Sequence, residues 1–157
     1  MRKIISTGFV VMAGLLASPI QPLQGHRPRQ VDPRSTRLHQ FLTAMGSPVS
    51  QLAPEFVAAA DKNTLDWRLL PSIAVIESGA GKESSNNNIF GWDSGRTKFS
   101  SVRAGIHTVA ARLSTSRLYR HKPVTALLAT YNPQADYPAR VIRVMQSIGP
   151  AEYPTQN

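Results

Sequence analysis

One glutamate, Glu77, stands at the end of an apolar stretch that covers residues 69–76. The spacing of the apolar side chains predicts a helix that is buried on most sides and ends at Gly79 and Gly81. Apolar surroundings and the carbonyl end of a helix both favour the protonated form of a carboxyl group. Such a group can donate a proton to a leaving group, which is general acid catalysis. The alternative is a glutamate that only caps the last helical turn or faces solvent.

A polar loop with amide and aromatic side chains follows this helix. Its central run, residues 86–92, contains three asparagines, a phenylalanine and a tryptophan. Amides form hydrogen bonds with the hydroxyl and N-acetyl groups of sugars, and aromatic faces stack on sugar rings. A glycosidic bond also needs an acid that protonates the departing oxygen. The loop therefore favours a carbohydrate site, although an asparagine-rich turn and a core tryptophan are the plainer alternatives.

Helical segments must position this loop and Glu77. The predicted helices begin near Pro33, Pro54, Asp66, Val102, Val124 and Ala139. Between the third and the fourth, Asp93-Ser94-Gly95 predicts a turn, with or without two short flanking strands. The sequence thus predicts a mainly α domain with a short irregular or β-hairpin loop beside the helix that carries Glu77.

Composition excludes several kinds of chemistry. The chain has 157 residues and no cysteine, which excludes a disulfide framework, a thiol nucleophile and a cysteine-ligated zinc site. Its histidines are dispersed without metal-ligand spacing, and Ser78 lacks the Gly-x-Ser-x-Gly turn of a serine hydrolase. We therefore expect no metal and no cofactor.

The net charge of +9 is compatible with binding to an anionic wall polymer, a membrane surface or nucleic acid, or with a role in solubility alone. Because the basic residues are scattered along the chain, nucleic acid is the disfavoured partner.

The N-terminus has the residue order of a secretory signal peptide. Arg2 and Lys3 precede an apolar run over residues 4–17, which is shorter than the ~20 residues of a membrane-spanning helix. We expect export to the periplasm, cell wall or extracellular space after cleavage, or an N-terminal anchor if the segment is retained. The predicted organisation is a signal peptide at 1–24, a Pro/Arg-rich linker and first helix at 25–49, the main domain at 50–150 and a tail at 151–157.

Four segments, in order, are similar to motifs of the lysozyme-like superfamily, in its branch of bacterial wall glucosaminidases and lytic transglycosylases. Residues 65–79, which end in Glu77-Ser78-Gly79, resemble the catalytic helix of this branch, and residues 87–92 resemble its Asn-Asn-x-Phe-Gly segment. Residues 99–106 look like the segment that follows. Tyr131, with residues 132–133 and 137–141, resembles the closing tyrosine motif. The resemblance covers residues 64–148.

This resemblance implies a lysozyme-like helical domain that cleaves the glycan strands of peptidoglycan, by endo-β-N-acetylglucosaminidase-type hydrolysis or by lytic transglycosylation. It implies Glu77 as the general acid and Tyr131 as the catalytic tyrosine beside it in the cleft. The substrate-binding residues that it implies are Ser78, Asn87, Asn88, Phe90, Gly91, Trp92 and Tyr137. The expected partner is the peptidoglycan strand, bound by a monomer that has no stable membrane insertion after signal cleavage and no nucleic-acid partner.

The sequence departs from the glucosaminidase pattern after Trp92. Hydrolases of that type usually carry a second carboxylate on a longer hairpin, whereas the interval from Trp92 to Phe99 holds only Asp93. The second carboxylate is therefore Asp93 or absent. If it is absent, the reaction uses one acid, as in lytic transglycosylases, or the substrate's own acetamido group. A wall-binding module without catalysis and an unrelated helical exported protein are the alternatives.

Overall fold

Six α-helices form the part of the chain that the computed structural model describes, residues 31–151. They are α1 (Pro33–Ala44), α2 (Ala53–Lys62), α3 (Leu69–Ser78), α4 (Val102–Thr115), α5 (Val124–Tyr131) and α6 (Tyr137–Ile148), with a short 3-10 turn, Ser50–Leu52, before α2. Helices hold 57% of the described residues, and none of those residues lies in a β-strand. The predicted mainly α class is therefore confirmed.

Three of the predicted segments reach beyond the described residues. The signal peptide at 1–24, the first part of the linker (25–30) and residues 152–157 of the tail lie outside them. Between residues 31 and 151, no helix is both long enough and apolar enough to cross a membrane.

Side-chain caps start α1 and α4 where the sequence predicts them. The Asp32 carboxylate accepts a hydrogen bond from the Arg34 amide at 2.8 Å. The Ser101 hydroxyl accepts one from the Ala104 amide at 3.1 Å. Each cap satisfies one of the amide groups that a helix leaves without a partner in its first turn, and this fixes where the two helices begin.

Replacement of the α4 cap should weaken the fold by a measurable amount. We expect Ser101→Ala to lower the free energy of unfolding by about 1 kcal/mol, because the Ala104 amide loses its acceptor. Urea denaturation followed by circular dichroism measures this difference. Ser100→Ala is the matched control, since Ser100 is also exposed and directly precedes the cap. Equal losses in the two variants would contradict the capping role.

Prolines lie in the first turns of several helices. Pro71 is the third residue of α3, and Pro138 is the second residue of α6. Proline lacks the amide group that the first turn leaves free, so it fits there without loss of a hydrogen bond. As a result α6 begins at Tyr137, ahead of the predicted start near Ala139.

The core is built around α3, which packs against α2 and α6. Its residues Leu70, Ile73 and Ala74 are fully buried. Helix α1 belongs to the same core, because Leu38 and Leu42 are also fully buried and α1 packs against α2. The compact unit thus includes the first helix, which the sequence analysis placed before the domain at 50–150.

A glycine in the left-handed conformation ends α3. Gly79 has φ +58°, and its amide donates to the Val75 carbonyl oxygen at 3.0 Å. Glycine adopts this conformation without the steric cost that other residues meet. The predicted end of the helix is confirmed, and Glu77 lies in its last turn.

The loop over residues 79–101 is a series of turns. It includes the predicted turn Asp93-Ser94-Gly95, where all three residues have positive φ. The described residues on either side of that turn form no strands. The irregular form of the predicted loop is therefore the one observed, and the β-hairpin form is not.

Candidate active site

A tyrosine at the start of α6 holds the Glu77 carboxyl group. The Tyr137 hydroxyl donates a hydrogen bond to Glu77 Oε1 at 2.6 Å. Tyr137 is 1% exposed, whereas Glu77 is half-buried. Tyr137 is not among the described residues that line the cleft, and its contact with substrate stays a prediction. Its hydrogen bond fixes the orientation of the carboxyl group.

Tyr131, the last residue of α5, stacks on Tyr137. The two ring centroids are 6.1 Å apart and the ring planes differ by 9°. The Tyr131 hydroxyl donates to the Phe90 carbonyl oxygen at 2.5 Å, and Tyr131 lines the same cleft as Glu77. Tyr131 thus lies in the cleft where the resemblance implies it, but its hydroxyl binds the loop and not Glu77.

Both tyrosines stay protonated at physiological pH. Burial raises the pKa of Tyr131 and of Tyr137 well above the ordinary value, and the charge that Glu77 carries when it is deprotonated raises both further. Each hydroxyl group therefore keeps its proton and acts as the donor in its hydrogen bond.

Gly91 lets the loop backbone approach Glu77. It has φ +59°, and a Cβ atom built on it would lie 2.8 Å from Glu77 Oε2. Any other residue would be strained in this left-handed conformation and would press on the carboxyl group. The absence of a side chain at Gly91 therefore allows the loop backbone to lie against Glu77 Oε2 without a clash.

An open cleft of about 640 Å³ includes Glu77 and Gly91, a volume in the range of small-molecule binding sites. Part of its lining is aromatic, since Trp92, Tyr119 and Tyr131 contact one another with ring centroids 5.8, 6.1 and 6.4 Å apart. The other lining residues are Asp93, Ser94, Thr97, Arg112, Asn132 and Pro133. Aromatic faces beside polar groups are suited to stacking on a ring and binding its hydroxyl groups.

Asn88 holds the part of the loop that carries Trp92. Its Oδ1 accepts a hydrogen bond from the Trp92 amide at 3.0 Å, and its Nδ2 donates to the carbonyl groups of Trp92 at 2.9 Å and Thr97 at 3.0 Å. The Asn88 side chain is only 4% exposed. Loop groups thus use the Asn88 amide, and its contact with substrate stays a prediction. Asn88 positions Trp92, which is half-buried at the cleft.

Three further residues expected to bind substrate serve the loop. Asn87 is exposed, but its amide donates to the Phe99 carbonyl oxygen at 2.9 Å and it is not among the described residues that line the cleft. Ser78 is 4% exposed, and its hydroxyl oxygen lies 2.7 Å from the Ile89 carbonyl oxygen. Phe90 is fully buried. None of the three is among the described residues that line the cleft, and their substrate contacts stay predictions.

Asp93, the candidate second carboxylate, lines the cleft as half of an ion pair. Its Oδ1 lies 2.6 Å from the Arg96 guanidinium, and its side chain is 49% exposed. Glu77 forms no ion pair with any described residue. The cleft thus contains two carboxyl groups of different kinds, one half-buried against a tyrosine and one exposed against an arginine.

Sequence reasoning did not identify Tyr119 and Arg112 as cleft residues. Tyr119 follows α4 in a basic segment and lines the cleft. An aromatic residue among polar neighbours is the one feature of the sequence that could have identified it as a cleft residue. Arg112 lies in the last turn of α4, and nothing in the sequence distinguishes it from the other arginines. Both positions depend on where α4 ends relative to Glu77, which only the packing of the helices determines.

Within residues 31–151, no group of three or more histidine, aspartate or glutamate side chains could hold a metal ion. Comparisons with protein-family models, with curated proteins and with solved structures gave no match. The functional interpretation therefore rests on the geometry around Glu77.

Proposed function

We propose that this protein is an exported, monomeric enzyme that cleaves the glycan strands of peptidoglycan, with Glu77 as its general acid. The observation that carries the proposal is the Glu77 carboxyl group, which lines a cleft of about 640 Å³ and is held by Tyr137 at 2.6 Å. Cleavage of a glycosidic bond requires a positioned carboxyl group of this kind. The proposal includes a lysozyme-like arrangement of the helices, in which the acid ends a central helix beside the cleft.

The unequal surroundings of the two Glu77 oxygens support a role as acid. Oε1 accepts the hydrogen bond from Tyr137, so Oε2 is the oxygen from which Glu77 would donate a proton. Oε2 lies beside Gly91, which has no side chain to cover it. Because Tyr137 keeps its own proton, its hydrogen bond also stabilises the Glu77 carboxylate that forms after proton transfer.

A route with one carboxyl group fits this cleft better than a route with two. Asp93 already forms an ion pair with Arg96, in which its Oδ1 lies 2.6 Å from the guanidinium group. Glu77 then protonates the departing sugar oxygen, and an oxygen of the substrate attacks the anomeric carbon. That oxygen is the acetamido oxygen or the 6-hydroxyl of the muramyl residue. In the first case water then attacks the anomeric carbon, the Glu77 carboxylate takes its proton, and the bond to the acetamido oxygen breaks. In the second case the Glu77 carboxylate takes the hydroxyl proton as a base, and an anhydro ring closes.

Purified peptidoglycan is the substrate that tests this proposal. The full chain should release soluble fragments, which mass spectrometry identifies by their end groups. An anhydro-muramyl end indicates transglycosylation, and a reducing end indicates hydrolysis. Zymography in gels that contain the same wall material gives an independent measure of cleavage. Binding to the wall without release of fragments would overturn the enzymatic proposal.

A non-catalytic wall-binding domain is the second candidate function. The ion pair of Asp93 with Arg96 favours it, because this pair leaves Glu77 as the one carboxyl group without an ion pair among the described residues of the cleft. The two candidates differ in one observable. A binding domain is retained on sedimented wall material, and the length distribution of the glycan strands does not change.

Trp92 should contribute to glycan binding under either candidate. It lines the cleft and contacts the rings of Tyr119 and Tyr131. We expect Trp92→Ala to weaken the binding of chitooligosaccharides or wall fragments by about 1–3 kcal/mol, because a stacking face is lost. Isothermal titration calorimetry measures the change. Trp92→Phe keeps an aromatic face and should lose less. Equal affinities of wild type and folded Trp92→Ala would contradict the stacking role.

A further inference from the structure

Arg112 is a cation in the cleft that has no side-chain partner among the described residues. It is exposed in the last turn of α4 and lines the same cleft as Glu77. Among residues 31–151, its guanidinium group forms neither an ion pair nor a hydrogen bond. The two acids of the cleft are engaged elsewhere, Glu77 with Tyr137 and Asp93 with Arg96. The donor groups of Arg112 are therefore available to a molecule bound in the cleft.

The chain that follows Arg112 adds further positive charge and no negative charge. Between residues 112 and 135 there is no aspartate or glutamate. The same stretch contains Arg117, Arg120 and Lys122, which are all exposed. It also supplies Tyr119 and residues 131–133 to the cleft. The described cleft residues that this stretch supplies thus include one cation, Arg112, and no acid, which suits an anionic ligand.

A guanidinium group matches one ligand chemistry particularly well. It is planar and presents parallel N–H groups, which bind the two oxygens of a carboxylate together. Neutral sugars offer hydroxyl and acetamido groups, which gain much less from a free positive charge. The charge and shape of Arg112 therefore favour a glycan that carries carboxylates over one that carries none.

We propose that the cleft selects glycans with carboxylate substituents and that Arg112 binds the carboxylate. This inference rests on the proposed function, because it takes the cleft around Glu77 to be the glycan site. The carboxylate comes from the lactyl ether of a muramyl residue or from a peptide attached to it. Neutral glycans built only from N-acetylglucosamine are the poorer ligands.

A purely structural role for Arg112 gives a different expectation. A basic residue in the last turn of a helix stabilises the helix through its dipole, by a few tenths of a kcal/mol to about 1 kcal/mol. If that is its whole role, Arg112→Gln lowers the melting temperature and leaves the preference among ligands unchanged. Stability and ligand preference must therefore be measured on the same variants.

Binding by the full chain that carries Glu77→Gln tests the proposal, since its ligands are not cleaved. Calorimetry compares three tetramers: neutral N-acetylglucosamine, one with free lactyl carboxylates, and one whose lactyl groups carry peptides with free carboxylates. We expect at least one acidic tetramer to bind at least about 10-fold more tightly than the neutral one. The tetramer that gains most identifies the source of the carboxylate. The gain should shrink as salt is added.

Arg112→Gln should remove this preference and leave the affinity for the neutral tetramer unchanged. Arg112→Lys keeps the charge without the planar fork, so an intermediate preference is expected. The matched control is Arg117→Gln, because Arg117 is exposed in the same basic stretch but is not among the described residues that line the cleft. This control should keep the full preference.

Equal affinities for neutral and acidic tetramers would overturn the proposal. An equal loss of the preference for acidic tetramers in Arg112→Gln and Arg117→Gln would also overturn it. So would an Arg112→Gln variant that is less stable but keeps the full preference. If the wild type still releases wall fragments in those cases, the proposed function stands. An Arg112-dependent preference without any fragment release supports the carboxylate site and overturns catalysis instead.

Discussion

Glu77→Gln is expected to lower the rate of glycan release by at least about 10²-fold, the lower end of the range for general acid catalysis. The amide cannot give a proton to the departing oxygen as a carboxylic acid does. Its oxygen can still accept the hydrogen bond from Tyr137, which spans 2.6 Å in the native protein. The fold and the cleft should therefore survive. Fragment release from one wall preparation, with folding checked by circular dichroism, measures the effect.

Glu83→Gln is the matched control for this variant. Glu83 is exposed in the loop that follows the same helix, and it is not among the described cleft residues. Its replacement should leave the release rate unchanged. If wild type and Glu77→Gln release fragments at the same rate, Glu77 is not the acid, and the main support for an enzymatic function is lost.

Gly91→Ala is expected to have an effect of similar size on turnover, through the position of the Glu77 carboxyl group and not its chemistry. The new Cβ atom would lie 2.8 Å from Glu77 Oε2, so the carboxyl group or the loop must move. A displacement of about 1 Å in a catalytic group can reduce the rate about 10²-fold. The left-handed backbone adds about 1–2 kcal/mol of strain. Turnover and urea denaturation separate these two effects.

Gly95→Ala shares the strain but not the contact. Gly95 has φ +77°, and nothing lies within 4 Å of a Cβ atom built on it. We expect both alanine variants to lose stability and only Gly91→Ala to lose most of its turnover. Similar turnover in the two variants would show that the approach of Gly91 to Glu77 has no catalytic consequence.

The features that the sequence predicts well depend on residues close together in the chain. The predicted starts of α1 and α4 and the predicted end of α3 each coincide with a hydrogen bond that spans fewer than five residues, made by Asp32, Ser101 and Gly79. Apolar periodicity alone identifies α3 as a buried helix. The place of Glu77 in the last turn of α3 follows from these local signals.

The partners of Glu77 could not be predicted in this way. Tyr137 lies 60 positions further along the chain, and its contact with Glu77 depends on how α6 packs against α3. The asparagines show a second limit. A side-chain amide forms hydrogen bonds equally well with a sugar or with a carbonyl group of the loop. The partners of the Asn88 amide depend on which backbone groups the folded loop leaves without hydrogen bonds.

The short connection between α5 and α6 has a consequence for how the length of this chain can change. Tyr131 just before it binds the loop at Phe90, and Tyr137 just after it binds Glu77. One residue inserted into or deleted from positions 132–136 would shift one tyrosine against the other and separate the loop from the acid. Residues 82–85 are all exposed, so an insertion there would leave both tyrosines in place. Variation in length is therefore restricted at a connection far from Glu77 in sequence and tolerated in the loop directly after it.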